Sequence, residues 1–304
     1  ARIKILVRET GVEQFRSLVM KEWSQIRDGA QTLTEEEIDR CKSFFVDPIY
    51  MKKEDAPEEL TAALKSDVLF SNWYQRNVSA HKKSGYAIVT ACLKETGVAP
   101  GDVTDIQLDY LAELADEYSF GEVRISHHQN VVFADVEQSE LHAFWKKLKT
   151  KSLASMNLGL LTDMICCPGG DFCALANAKS IPIAESLQRK FDDIDELRNI
   201  GDLRINISGC MNACGHHHVG NIGILGVDKK GEEFYQVSLG GSSQNEASIG
   251  KIIGPSFAQD EIPVVVKKIV EVYKNSRQNE EAFLDTYRRI GIEPFKEKVY
   301  AKPD

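Results

Sequence analysis

The 304-residue chain contains no uninterrupted apolar run near the length that crosses a bilayer, which leaves out a membrane-spanning helix as an organising element. Basic residues are in short supply, with 37 Lys and Arg against 46 Asp and Glu and a formal net charge of -9. A general binder of nucleic acid or of an anionic membrane needs clustered cations, so neither class fits, and an anionic small substrate would need a local basic pocket. Cysteine is too sparse and too uneven for a disulfide framework: five of the seven fall between Cys166 and Cys214, while Cys41 and Cys92 stand alone. The opening residues, Ala1 to Arg8, lack the apolar core of a signal peptide and alternate charge with apolar character like a strand, so a cytoplasmic address is expected. The first residue is not Met and the chain begins directly in what reads as a structural element, which suggests a piece of something larger. With 42% hydrophobic and 27% charged residues the composition is that of an ordinary folded protein, long enough for more than one core.

Residues 1–45 read as a short strand, a helix with Phe15, Leu18, Val19 and Trp23 near helical spacing, and an acidic helix start at Thr34-Glu35-Glu36-Glu37. Residues 46–80 read as a connecting stretch with one short helix around Glu58 to Leu64. Over 81–150 the pattern sharpens. Tyr86 to Thr90 is a strand, Thr104 with Gln107 is a capping box, and a helix follows on Leu108, Leu111, Ala112, Ala115 and Tyr118. Strands at Glu122–Ser126 and Val131–Val136 flank His127-His128-Gln129-Asn130, and a last helix carries Leu141, Phe144, Trp145 and Leu148. The order β-α-β-β-α is most of a ferredoxin-like unit.

Residues 151–304 carry the cysteines, with a helix expected from near Cys173 to Phe191 and a strand from Leu203 to Ile207 leading to Cys210. Strands at Ile222–Val227 and Phe234–Leu239 flank the turn Asp228-Lys229-Lys230-Gly231, and Gly240-Gly241-Ser242-Ser243 is a loop after the second of them. Helices with Val264, Val265, Ile269, Val272 and then Phe283 and Tyr287 close the chain. The fold class is α+β, with α/β character in this half.

Cys167-Pro168-Gly169-Gly170-Asp171-Phe172-Cys173 and Cys210-Met211-Asn212-Ala213-Cys214 set four thiols on two turn-rich loops. Zinc sites draw cysteines two to four apart, whereas the first gap here holds five residues, so an iron–sulfur cluster fits better than zinc. Cys166 would lengthen that gap to six and is read as a bystander. The adjacent His216, His217 and His218 point in different directions and cannot all grip one ion, so packing or hydrogen bonding near a cofactor is the use expected of them.

Cys-x5-Cys followed by Ser208-Gly209-Cys210-Met211-Asn212-Ala213-Cys214 resembles the cluster and siroheme motif of sulfite and nitrite reductase hemoproteins. The similarity continues through Gly215 to His218, Asn221 to Gly226, Ser238 to Gly241 and the stretch Arg124-Ile125-Ser126 to Gln129-Asn130. It implies a 4Fe-4S cluster on Cys167, Cys173, Cys210 and Cys214, with Cys214 also bridging to a siroheme iron and Asn212 against the macrocycle. It implies an oxidoreductase of sulfur or nitrogen assimilation that reduces sulfite to sulfide, with nitrite to ammonia as the alternative. Ferredoxin or a flavoprotein would supply electrons, since no flavin or nicotinamide fingerprint is present. By the same resemblance 1–45, with Arg2 and Lys4, is the end of a preceding siroheme-binding domain, 81–150 the ferredoxin-like half-domain and 151–304 the 4Fe-4S and siroheme domain.

The family's substrate-binding Arg and Lys lie mainly in a first copy that this chain does not contain, so the catalytic residues are not assigned here and the segment alone is expected to turn over little. Arg124 and Gln129 are expected to support the sheet. A third reading, from another class, is a non-catalytic electron-transfer or zinc-stabilised interaction module.

Overall fold

A computed structural model describes residues 3–301 and divides the chain into two units, Ala1–Met51 and Lys52–Asp304. The first unit holds α1 (Ile3–Thr10), α2 (Val12–Ile26) and α3 (Glu35–Lys42). Thr34 caps α3 by accepting from the Glu37 N–H, as its sequence predicts. The expected opening strand is instead α1. Ile3, Leu6 and Val7 also satisfy a helical period, and eight residues cannot separate the two patterns. Ala1 and Arg2 lie outside the described residues, as do Lys302, Pro303 and Asp304. No residue of α1, α2 or α3 is buried, and the stripe of Leu18, Val19 and Trp23 is exposed.

The second unit opens with α4 (Glu58–Ser66) and α5 (Val68–Asn77), so the stretch read as a connection with one helix carries two. Asp67 caps α5 through the Phe70 N–H, and Phe70 and Trp73 then bury completely. They join a core with Leu111, Leu114, Phe133, Phe144 and Leu148. Over that core lies a four-stranded antiparallel sheet of β1 (Val78–Ala80), β2 (Tyr86–Ala91), β3 (Arg124–Ile125) and β4 (Val131–Glu137), in the order β1-β2-β4-β3. Two helices pack with it. In α6 (Asp105–Tyr118) both halves of the Thr104–Gln107 capping box are made, and α7 (Leu141–Lys149) buries the four residues of its predicted stripe.

The cysteine-bearing layer is a five-stranded sheet ordered β5-β6-β7-β8-β9. Its strands are β5 (Ile165–Cys166), β6 (Ile205–Ser208), β7 (Ile222–Lys229), β8 (Glu232–Leu239) and β9 (Lys251–Ile252). The first three run parallel and the rest antiparallel. The short α8 (Gly169–Phe172) and then α9 (Ile181–Lys190), α10 (Ile194–Ile200), α11 (Ile262–Ser276), α12 (Phe283–Ile290) and α13 (Glu293–Tyr300) complete the chain. Ile207, Ile224, Val237, Leu187, Ile269 and Phe295 belong to the single apolar core between this sheet and its helices. The helix expected from Cys173 to Phe191 begins only at Ile181; residues 173–180 form a loop for reasons given below.

Glu281 ties α11 to α12: its carboxylate accepts from Arg289 at 2.6 and 2.8 Å, from Thr286 at 3.0 Å and from the Gln278 N–H at 2.9 Å. The Arg289 guanidinium first, and the Gln278 amide second, hold this carboxyl at about 2, below its ordinary 4.5. A depressed carboxylate stabilises the fold above its unfolded pKa, and the contribution fades as pH falls from about 4.5 towards 2. Glu281→Gln is therefore expected to be less stable at neutral pH and to lose less on acidification through that window. Thermal melts between pH 7 and 2.5 check this, and parallel curves for the two proteins would contradict it.

Candidate functional site

Both cysteine pairs leave the same end of the sheet. β5 and β6 are parallel, with Ile165 opposite Asn206 and Cys166 opposite Ile207, so Cys167 and Cys210 each follow the carboxyl end of a strand. Loops at that end converge in α/β sheets because the strands deliver them side by side. The Cys167 N–H donates to the Ile207 carbonyl at 3.1 Å, and the Gly209 N–H donates to the Cys167 thiol sulfur at 3.1 Å.

Glycines let the loops close. The Gly209 carbonyl accepts from the Asn177 and Ala178 N–H groups at 2.9 and 3.0 Å, and the Ala178 carbonyl accepts from Gly170 at 2.9 Å. A Cβ on Gly209 would stand 2.5 Å from the Ala178 carbonyl oxygen and 2.9 Å from the Gly169 Cα. Gly169 itself has φ +59°, and a Cβ there would strike Ser180. These backbone bonds to Gly209 explain why residues 173–180 are not helical: they satisfy the loop's N–H groups across the site instead of within a helix. Tyr235 adds a second tie, its hydroxyl donating to the Lys179 carbonyl at 2.8 Å while Glu233 accepts from the Lys179 N–H at 3.1 Å. Burial pushes the Tyr235 phenol well above its usual range, so it remains a donor.

The second pair turns tightly, with Ala213 and His216 at φ 58° and 54°. The Gly215 N–H donates to Ser208 Oγ at 3.2 Å, and the Asn206 side chain holds the Gly215 carbonyl at 2.9 Å. Cys210 is buried, Cys167, Cys173 and Asn212 are half-buried, and Cys214 is exposed. No disulfide joins any of the seven cysteines. Among the described residues no three His, Cys, Asp or Glu side chains come together as ligands of one ion. Four soft thiols held on adjoining glycine loops suit a larger inorganic core, whose thiolates stand apart.

Cys166 is buried in the core beneath the site, its thiol donating to the Cys167 carbonyl at 3.2 Å, and burial raises its pKa well above the ordinary thiol value. It behaves as a protonated packing residue. His217 is buried and its ring lies 3.9 Å from that of the exposed His218, while His216 occupies a left-handed turn. Arg124 is exposed and paired with Glu122 at 2.6 Å. Gln129 is different: its carboxamide bonds both backbone groups of Cys166, at 2.8 and 2.9 Å. Sequence reasoning missed Lys94, Asp163, Glu233 and Tyr235 as supports of the site. Of these, only Lys94 carried a visible signal, a cation directly following the apolar run Ala91-Cys92-Leu93.

Comparison with known proteins gives two matching family profiles. "Nitrite and sulphite reductase 4Fe-4S domain" matches residues 160–303, and "Nitrite/Sulfite reductase ferredoxin-like half domain" matches residues 82–151. The chloroplastic ferredoxin–nitrite reductase of Betula pendula is 27% identical over 228 residues, covering 70% of this chain and 37% of that protein. Sulfite reductase (ferredoxin) 2 of Mycolicibacterium paratuberculosis is 27% identical over 203 residues, covering 63% of this chain and 36% of that one. The chain thus spans well under half the length of the curated relatives it matches. Two solved structures share the fold. Mycobacterium tuberculosis NirA has a TM-score of 0.62 at 20% identity, over 98% of this chain and 49% of that one. Dissimilatory sulfite reductase I has a TM-score of 0.58 at 14% identity, over 92% of this chain and 90% of that one.

Proposed function

This chain belongs to the siroheme and iron–sulfur nitrite and sulfite reductase family, and from that premise we propose that its four loop cysteines, Cys167, Cys173, Cys210 and Cys214, hold a 4Fe-4S cluster in an oxidoreductase that reduces a small oxyanion by six electrons. The observation that carries the reading is the closure of both cysteine loops over Gly209 at one end of a parallel strand pair. When bound, the cluster and siroheme would supply the stepwise electron transfer that such a reduction requires.

The chain's own residues do the holding. Soft thiolate ligands come from Cys167 and Cys173 on the first loop and from Cys210 and Cys214 on the second. The Gly209 N–H donates to the Cys167 sulfur and would tune the site's potential. Cys214, the exposed member of the four, and the half-buried Asn212 are the residues that would hold the siroheme.

Sulfite to sulfide is the first reading of the reaction, supported by the Cys167 to Pro182 segment, which resembles bacterial sulfite reductase hemoproteins more than plant-type nitrite reductases. Nitrite to ammonia is the second, supported by the names of relatives such as the Betula pendula enzyme. Ferredoxin is the proposed donor, in keeping with the ferredoxin-dependent relatives, with a flavoprotein as the alternative. No helix among the described residues is long and apolar enough to cross a membrane.

Anaerobic purification of the chain with iron, acid-labile sulfide and tetrapyrrole quantified is the test. About four iron and four sulfide per chain beyond the one iron of extractable siroheme are expected. One zinc per chain and no sulfide would overturn the cluster assignment. Turnover of sulfite against nitrite, measured after adding the partner sequences found in the longer relatives, then separates the two substrates.

A further inference from the structure

β5 is a two-residue edge strand, bonded to β6 on one side only. An edge leaves N–H and C=O groups unpaired on its outer side, and so short a strand has little else to hold it. Here Gln129 supplies the missing partner. Its Oε1 accepts from the Cys166 N–H at 2.9 Å and its Nε2 donates to the Cys166 carbonyl at 2.8 Å, as a neighbouring strand would.

The aim of that carboxamide depends on an unusual backbone. Gln129 sits at φ 59°, a left-handed conformation that costs a residue bearing a side chain. A fully buried ammonium fixes it. Lys94 Nζ donates to the carbonyls of His128 and Gln129 at 2.9 and 2.8 Å and to Asn130 Oδ1 at 2.8 Å, with Asp163 at 3.5 Å. Burial pulls this ammonium below the usual lysine range while Asp163 opposes the shift. Asn130 links the two ends, since its Nδ2 donates to Asp163 Oδ1 at 3.1 Å and its Oδ1 also accepts from Leu93. Gly101 packs so closely on Gln129 that a Cβ there would lie 2.8 Å from the Gln129 Cβ.

We propose that Lys94 and Gln129 are positioning residues that lock the β5 edge at Cys166, and so set where the adjacent Cys167 thiol stands relative to the second cysteine loop. The inference rests on the cluster reading for its consequence but not for its geometry. Charge-assisted bonds from one ammonium to three acceptors are stronger than neutral ones, so the lysine orders the turn and the turn orders the ligand strand.

The test uses the full 304-residue chain carrying Gln129→Ala or Lys94→Met. Gln138→Ala serves as a control, because Gln138 bonds Asp55 and the Tyr86 carbonyl away from the cysteine loops. In metal-free protein, amide hydrogen exchange at Cys166 and Cys167 is expected to quicken about tenfold or more in the first two variants and to stay unchanged in the control. After cluster reconstitution, the same two variants are expected to show an altered EPR line shape in the reduced state and faster iron release to a chelator. Gln129→Glu keeps the acceptor for the Cys166 N–H and loses only the donor, so it should fall between wild type and Gln129→Ala. It also serves if the alanine variant fails to fold.

Unchanged exchange and an unchanged EPR signal in Gln129→Glu and Lys94→Met would overturn the proposal. A wild-type chain that takes up no iron and sulfide would sink the cluster reading instead, and the exchange measurement would still decide the lock.

Discussion

Gly209→Val is expected to abolish cluster assembly while the sheet beneath stays folded. The first atom of the new side chain would already stand 2.5 Å from the Ala178 carbonyl oxygen and 2.9 Å from the Gly169 Cα, and both belong to backbone that the loop cannot move without breaking its own bonds. Overpacking of this kind costs about 1–3 kcal/mol and sometimes more, and here the cheapest relief is to push residues 173–180 away. That displacement would lose the Asn177 and Ala178 bonds to the Gly209 carbonyl together with the Gly209 donation to Cys167. Iron and acid-labile sulfide should fall at least about tenfold, a size matching the loss of supporting contacts around a metal site. Far-UV circular dichroism should remain near that of wild type. Near-normal iron content in this variant would show that the loops need not meet at Gly209.

Trp73→Ala should be the most destabilising single change in the ferredoxin-like layer, costing about 3–5 kcal/mol. Trp73 is fully buried, stacks on Phe70 with centroids 6.1 Å apart and belongs to the core that carries β2 and β4. Urea unfolding followed by tryptophan-independent circular dichroism measures it, and a loss below about 1 kcal/mol would show that α5 is peripheral. The prediction matters for the site because Lys94 and Gln129 hang from this same layer, so cluster retention should fall in parallel with stability.

Much of this was legible in the residues. The capping box at Thr104, the buried stripe of α7 and the hairpin of β7 and β8 each follow from a local pattern strong enough to stand alone. The cysteine loops were legible as chemistry because their spacing and glycines are unusual together. The expected helix after Cys173 failed where Ala174 to Lys179, good helix formers apart from Asn177, spend their backbone bonds on Gly209, Gly170 and Tyr235. α5 was overlooked because Val68, Phe70 and Trp73 follow Asp67 in a stretch whose prolines and charges read as linker. Gln129 was expected to support the sheet, but its bridge to Cys166 was not legible, since a carboxamide substituting for a strand is visible only once β5 is seen at the sheet edge.

The parallel register of β5 against β6 has a metrical consequence. Each residue of slip along a strand moves its end by about 3.3 Å. Two ladder positions, Ile165 with Asn206 and Cys166 with Ile207, therefore act as the zero mark of a ruler whose graduations are Cys167 and Cys210. An insertion of one residue between either strand and its cysteine would leave every ligand present and every spacing within its own loop intact. It would still misread the gap between loops by a large fraction of the object they enclose. Tolerance in this molecule is set by the count of residues from the ladder to the thiol, not by the composition of the loops alone.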